Sequence, residues 1–541
     1  MNDYDVAIVG RHLATSLLAA ILAKNGVRVA LVSVPADAGE PAGETTVPYT
    51  ADLFFLLGNR FGLPEITAMG MVDTLPESVR AACGEKRNLG FLYHREGRAQ
   101  QPEEALQFNV PGEHAEWHLY RPAVEDYAAR LAADSGAVLF DSGGPGSGDS
   151  VSGDAPVSVQ VSPDGVRVDL ADGTTVRAEY LVNGSADPAI GAGQLPPSFG
   201  ARARQRGNLL YARMDGVVPF ESVTPLDAYK KASPWSAGTL SHLFDGGWIQ
   251  VAPYGDGRCG VAVGLDPDRW PDPDFGQLIK RFPGLSAQFA QARPVGEWES
   301  RTAWPAWAET CAGSRWLLFD RGAGRHDFLL SRDVTMSLEL VHAAAAGLLR
   351  LAWTKDWAGD GMKEAAEFQA GLFAFNDRLL AAARIATRDF SLLNAYLRVW
   401  LLWTILADLS VKRARLDAEA VARDPLDAGW ATVEKFDQVP YWYRVPAGLP
   451  ELVAESLADI ENVTNGASPS KAASRIFARL RRARFVPPLY AFGDPGARYY
   501  TFTRTRRVLM LLWTKTVAPS DFRRLLTADN VTGRADTGNF P

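Results

Sequence analysis

The first thirty residues constrain this chain more than any other stretch. In YDVAIVGRHLATSLLAAILAKNGVRVALVS, Tyr4 to Val9 reads as a short buried strand. Ser16 to Lys24 reads as an amphipathic helix stopped by Gly26, and Val27 to Ser33 as a second strand. A strand–helix–strand unit of this length predicts a parallel, Rossmann-like sheet and is the unit that holds a dinucleotide. The turn inside it does not match that use. It reads Gly10-Arg11-His12-Leu13-Ala14-Thr15, where the fingerprint is G-x-G-x-x-G. Gly10 keeps the tight turn. His12 stands where bare backbone would approach a diphosphate, and Thr15 where the helix would pack closest to the strand. Ser33 ends the second strand in place of the acid that binds ribose hydroxyls, with Asp37 and Glu40 a few residues beyond.

The remaining totals narrow the class. A chain of 541 residues is long enough for a large core and more than one domain. A net charge of −7 without a dense basic stripe argues against nucleic acid as a partner. Cys83, Cys259 and Cys311 lie too far apart for a disulfide framework or a zinc site, and His94, His114, His118 and His242 show no metal spacing. No leader precedes the first strand, and the most apolar later stretch, LLNAYLRVWLLWTILADL, carries Asn394, Arg398 and Asp408. It reads as a buried helix and not as a membrane span, so a cytoplasmic protein is expected.

Strands and helices mix over residues 1–350, with hairpin signals at Asp164-Gly165 and Asp172-Gly173 and a Gly/Ser-rich loop at about 141–156. After Val334 the periodicity turns helical, giving a second region over 351–541.

Several strings, in order over roughly residues 3 to 405, resemble the flavin-dependent halogenases, most closely those acting on phenols and aromatic polyketides. They are GETTVP with YTADLFFLLGNRFGLPEI, CGEKRNLGFLYHREG, HLYRPAVEDYAARLAADSGA, FDGGWIQVAPY, GAGRHDFLLSRDV and NDRLLAAARIATRDFSLLNAYLRVWLL. The resemblance implies the fold of the p-hydroxybenzoate hydroxylase-like flavin monooxygenases. That is an α/β core with a Rossmann-like parallel sheet and an antiparallel substrate sheet, followed by an α-helical C-terminal region capping the substrate pocket. It also implies reduced FAD supplied by a flavin reductase. Oxygen and halide then give hypohalous acid, which passes to a lysine beside the aromatic substrate. Lys86 matches that lysine; the alternative is a solvated lysine at a strand start.

The positions matching the family's FAD site are Gly10, Arg11, His12, Ser33, Thr45, Thr46, Arg121 and Gly324, and departures accumulate among them. Asp320-Arg321-Gly322 replaces a Gly-Asp-Ala whose Asp contacts the ribityl chain, and Asp333 replaces a glycine at a helix N-terminus facing the flavin or a halide. Arg121 either approaches the adenosine side or pairs with Glu125 or Asp126. The sequence reading is therefore a halogenase-like protein that has lost the usual FAD site and holds no cofactor tightly.

The substrate side is better kept. Phe91 and Tyr93 share one face of a strand, and Trp400 and Trp403 join Tyr396 in an aromatic stripe that serves either core or ligand. Lys86, Glu44 and Asp327 are the candidate acids and bases for a flavin-free step on an aromatic intermediate. An active FADH2-dependent halogenase using Lys86, and a non-catalytic binding or self-protection protein, are the other readings.

Overall fold

The computed structural model describes residues 2–34, 44–110, 116–141, 157–187, 190–191, 195–196, 207–229, 232–271, 274–304, 306–325, 327–501 and 503–526. The opening unit forms as Tyr4–Val9, Leu13–Lys24 and Val29–Ser33. The helix starts three residues earlier than the periodicity predicts because its first turn is capped. Extended His12 donates its backbone N–H to Thr15 Oγ1 at 3.0 Å, and the Thr15 hydroxyl donates back to His12 O at 3.0 Å. Gly10 has φ +103°, and a Cβ there would lie 2.9 Å from Ser185 N, so glycine is required at this point of the turn.

The strands Trp316–Leu318, Thr175–Asn183, Tyr4–Val9, Val29–Ser33 and Val138–Asp141 pair side by side, all parallel. Val6, Ala7, Ile8 and Val9 are fully buried in the middle of this sheet, with Ala30, Leu31 and Val32 on one side and Leu181 and Val182 on the other. Both hairpin signals sit at turns. Ser158–Ser162 pairs antiparallel with Gly165–Asp169, which in turn pairs antiparallel with Thr175–Asn183, and Gly165 and Gly173 both have positive φ. The Gly/Ser-rich loop, from residue 142 on, lies outside the described residues, as do Asp37 and Glu40.

A second, mostly antiparallel sheet runs Gly207–Asp215, Cys259–Leu265, Gly247–Pro253, Thr239–Phe244, Asn88–Tyr93 and Ala105–Asn109, with Glu299–Trp304 beside the first of these strands. Two pairings within it are parallel, Thr239–Phe244 with Asn88–Tyr93 and Tyr499–Tyr500 with Ala105–Asn109. Alternation along the strands sends Leu89, Phe91 and Tyr93 to one face and Leu92 to the other.

From Arg332 onward the chain is helical: Arg332–Thr354, Lys363–Ala386, Phe390–Glu419, Leu449–Glu461 and Pro469–Arg482, before Tyr499–Tyr500 returns to pair with Ala105–Asn109. Asp389 caps the longest helix by accepting from the Ser391 and Leu392 N–H groups. Leu392, Tyr396, Trp400 and Trp403 of this helix pack with Leu89, Phe91 and Phe108 of the second sheet, in one continuous core. Two helical stretches, Leu329–Thr354 and Phe390–Glu419, are long and apolar enough to cross a membrane. Their apolar windows are 94% and 83% buried inside the fold, which makes them core helices.

Candidate active site and cofactor groove

A groove of about 410 Å³ opens at the C-terminal end of the first strands, where an open α/β sheet places its ligand. Arg11, Ser33, Glu44, Arg121, Glu125 and Arg321 lie on its walls, and Tyr211, Arg213 and Glu299 bring in the second sheet. Two questions decide its chemistry: what occupies the dinucleotide end, and which groups are free to exchange protons.

At the dinucleotide end the His12 imidazole is fully buried. Its Nε2 lies 2.9 Å from Gly184 O, a carbonyl that can only accept, so Nε2 carries the proton. Nδ1 then faces Asp320 Oδ2 at 3.5 Å. Burial, reinforced by the Arg321 charge, holds this histidine well below its usual pKa, so it is a neutral ring. Thr15 closes the other side: a Cβ on Gly184 would meet the Thr15 methyl at 2.3 Å and His12 Nε2 at 3.1 Å. The imidazole thus ties the first turn to the 183–185 segment, while its Nδ1 faces the 320–322 segment without a hydrogen bond.

Asp320 is anchored there, accepting from Ser337 Oγ at 2.9 Å, with its own N–H donated to Gln369 Oε1 at 3.0 Å. Burial, with Asp333 nearby, raises its pKa to about 6. The cationic groups of the groove are likewise met by acids of the chain itself. Arg121 pairs with Glu125 at 2.9 Å and approaches Asp333 at 3.8 Å; Arg321 reaches the same Glu125 at 3.0 Å; Arg11 lies near Asp126 and Asp141. Ser33 sits opposite Asp141 in the sheet. The turn thus carries an imidazole facing Asp320 where the fingerprint has bare backbone, and Asp333 at the start of the following helix faces Arg121 at 3.8 Å.

Glu44 is the sequence-predicted acid that the fold brings to the groove. It is buried, accepts a short hydrogen bond from the Tyr254 hydroxyl, and burial pushes its pKa up to about 7. Tyr211 Oη lies 3.3 Å from Tyr254 Oη. Tyr211 is also the register partner of Glu299 on the neighbouring strand, whose pKa burial raises to about 7 as well. Two carboxyls that titrate near neutrality, Glu44 bonded to Tyr254 and Glu299 beside Tyr211 in the sheet, line one wall of the groove. Tyr254 ends one of the quoted strings, but Tyr211 and Glu299 carry no local signal. Only strand pairing brings them together.

Lys86 and Asp327 are not on this wall. Lys86 is fully buried, donates to Thr46 O, and pairs with Glu116 Oε2 at 3.1 Å. Burial lowers its pKa while Glu116 opposes the shift. Glu116 is its direct cross-strand partner, a pairing the sequence does not reveal. Asp327 is held on three sides, by Arg384 at 3.0 Å, by the Leu329 N–H at 2.8 Å and by Trp248 Nε1 at 3.4 Å.

Thr45 contacts the Ser331 hydroxyl, Thr46 Oγ1 donates to Trp117 O, and Gly324 pairs with Trp307 in a two-residue bridge. Phe91, Tyr93, Trp400 and Trp403 are all buried between the second sheet and the long helix, with Phe91 and Trp400 edge to face at 6.1 Å. Among the described residues no cluster of His, Cys, Asp and Glu could hold a metal.

No protein-family model matches the chain. It is 27% identical to tetracycline 7-halogenase of Kitasatospora aureofaciens, over 97% of this chain and 95% of that protein. It is 26% identical to monodechloroaminopyrrolnitrin halogenase PrnC of Pseudomonas fluorescens, over 97% and 94%. Its fold superimposes on halogenase PltM, solved in complex with phloroglucinol and FAD, with a TM-score of 0.83 over 92% of this chain and 99% of that one, at 22% identity. The FAD-dependent chondrochloren halogenase CndH matches less fully, with a TM-score of 0.54 over 71% of this chain and 83% of that one, at 18% identity. The chain is thus similar in sequence, over nearly its whole length, to these two halogenases, and in fold to solved halogenases that bind FAD.

Proposed function

We propose that this protein binds an aromatic intermediate of natural-product biosynthesis and carries out an acid–base step on it without flavin, with Glu44 as the proton-transferring group. The observation that carries the reading is the neutral His12 ring fixed between Gly184 and Asp320. With Arg121 and Arg321 paired to Glu125, the groove's groups that titrate near neutrality are Glu44 and Glu299.

A carboxyl with a pKa of about 7 populates both forms at neutral pH, so Glu44 can take a phenolic or ring proton and return it elsewhere on the ligand. Tyr254, which donates to Glu44, holds the carboxylate when it is charged. The ligand class comes from the relatives: one carries tetracycline in its name, and the PltM structure holds phloroglucinol.

The test is exchange of the ring protons of phloroglucinol into deuterated water, followed by NMR. Acceleration over the uncatalysed rate that disappears in Glu44→Gln is the expected result. Tight binding of the phenol without acceleration would make the protein a carrier and overturn the catalytic part of the reading.

One observation favours the second reading, FADH2-dependent halogenation through Lys86: that lysine is sequestered beside Glu116 and the GETTVP segment and is not solvated. It requires halide incorporation into a phenol in the presence of a flavin reductase, abolished in Lys86→Ala. Absence of product with chloride, bromide and iodide alike would reject it.

A further inference from the structure

The second sheet is covered on both faces. The face carrying Leu89, Phe91 and Tyr93 packs on the long helix, and the other builds a separate core around Phe220, Trp235, Leu240, Val251 and Phe282. On that second face lies a cavity of about 200 Å³, lined chiefly by apolar side chains, among them Val217, Pro219, Phe220, Leu240 and Val251. The exposed Gly257 and half-buried Arg258 line it too, so it opens to solvent. No residue lines both this cavity and the groove that holds Glu44.

Three of the polar side chains on the lining are satisfied within the protein. Ser236 donates to Glu221, Arg258 Nε to Asp215 at 2.9 Å, and the Tyr254 hydroxyl to Glu44. Two others are not. Trp235 Nε1 and Gln288 Oε1 have no hydrogen-bond partner, although Trp235 has no exposed surface and Gln288 is 2% exposed. Both residues are held in place. The Trp235 ring packs on Gly90, where a Cβ would come within 2.7 Å of Cε3, and meets Tyr229 edge to face at 5.3 Å. Gln288 closes the short helix Pro283–Gln288, and its backbone carbonyl accepts from the Val218 N–H at 3.2 Å. Its side chain also approaches His242, whose Nε2 is unmet, without reaching hydrogen-bond geometry. A carbonyl oxygen has two lone pairs, so that approach leaves one for a ligand. A buried donor and a buried acceptor left unmet on one cavity are costly for the protein alone.

We propose that this cavity is a binding site for a small neutral alcohol, one six-membered ring in size. A hydroxyl accepts and donates through one oxygen, so it can meet Trp235 Nε1 and Gln288 Oε1 together. A carboxylate only accepts and an ammonium only donates, so each would leave one of the two unmet. Neither would find a free counter-charge, because Arg258, the charged side chain on the lining, is already paired with Asp215. A cavity of about 150 Å³ holds benzene, so this one has room for a ring of that size with its hydroxyl. Ordered water is the competing occupant.

The test uses the full chain and three probes of similar shape, cyclohexanol, methylcyclohexane and cyclohexanecarboxylate, read by ligand-observed NMR titration. Cyclohexanol is expected to bind at least about tenfold more tightly than either of the others. Trp235→Phe keeps an aromatic ring and removes the donor, and the preference over methylcyclohexane is expected to shrink at least about threefold. Gln288→Leu removes the acceptor with the same expected effect, and serves if the phenylalanine variant does not fold. Both variants leave Tyr254 and Glu44 in place, so proton exchange on phloroglucinol reports on the groove separately.

No binding by cyclohexanol at millimolar concentration would leave water as the occupant and overturn the proposal. So would equal binding of cyclohexanol and methylcyclohexane, a carboxylate that matches the alcohol, or a preference unchanged in both variants.

Discussion

His12 is the residue whose role departs most from what its position suggests. A misfit in a glycine fingerprint, it is in the structure a buried neutral ring that donates to Gly184 O and faces Asp320 at 3.5 Å. His12→Gly removes the bond to Gly184 O and is expected to cost about 1–3 kcal/mol, measured by urea unfolding. Lys86 and Glu116 make a second residue-level test. Lys86→Met leaves a buried carboxylate unpaired and is expected to cost about 3–5 kcal/mol, whereas adding Glu116→Gln recovers most of that loss.

Glu44 ties stability to pH. Its folded pKa of about 7 lies above the ordinary glutamate value, so its folded-state benefit is complete below about pH 4.5 and is lost as pH rises through about 7. Tm is therefore expected to fall over this window in the native chain and to fall less in Glu44→Gln. The departures at His12, Thr15 and Asp320 were legible from the sequence because a fingerprint marks their positions. The partners Gly184 of His12, Glu116 of Lys86 and Tyr211 of Tyr254 are distant in the chain and left no local trace.

At the scale of elements, periodicity served well wherever one face is buried. The opening strands, both hairpins and the helices after Val334 follow from apolar spacing and turn residues. The early start of the first helix did not, because a Thr15 hydroxyl capping an extended His12 is a side-chain effect that hydrophobic pattern does not carry. The longest helix joins both concerns. Its Asp389 cap is expected to contribute about 1 kcal/mol, read as the stability lost in Asp389→Ala. Trp400 packs fully within the core that this helix shares with the second sheet, and Trp400→Ala is expected to cost about 3–5 kcal/mol.

Over the whole molecule, a fold similar to that of FAD-bound PltM carries a groove beside which His12 faces Asp320 and in which Arg121 and Arg321 pair with Glu125. The proposal that this groove works without flavin separates function from fold. The visible absorption spectrum of the purified chain, before and after equilibration with FAD, tests this most directly. The account expects a colourless protein that retains no flavin after dialysis. A yellow preparation, or flavin bound at micromolar affinity or better, would contradict it.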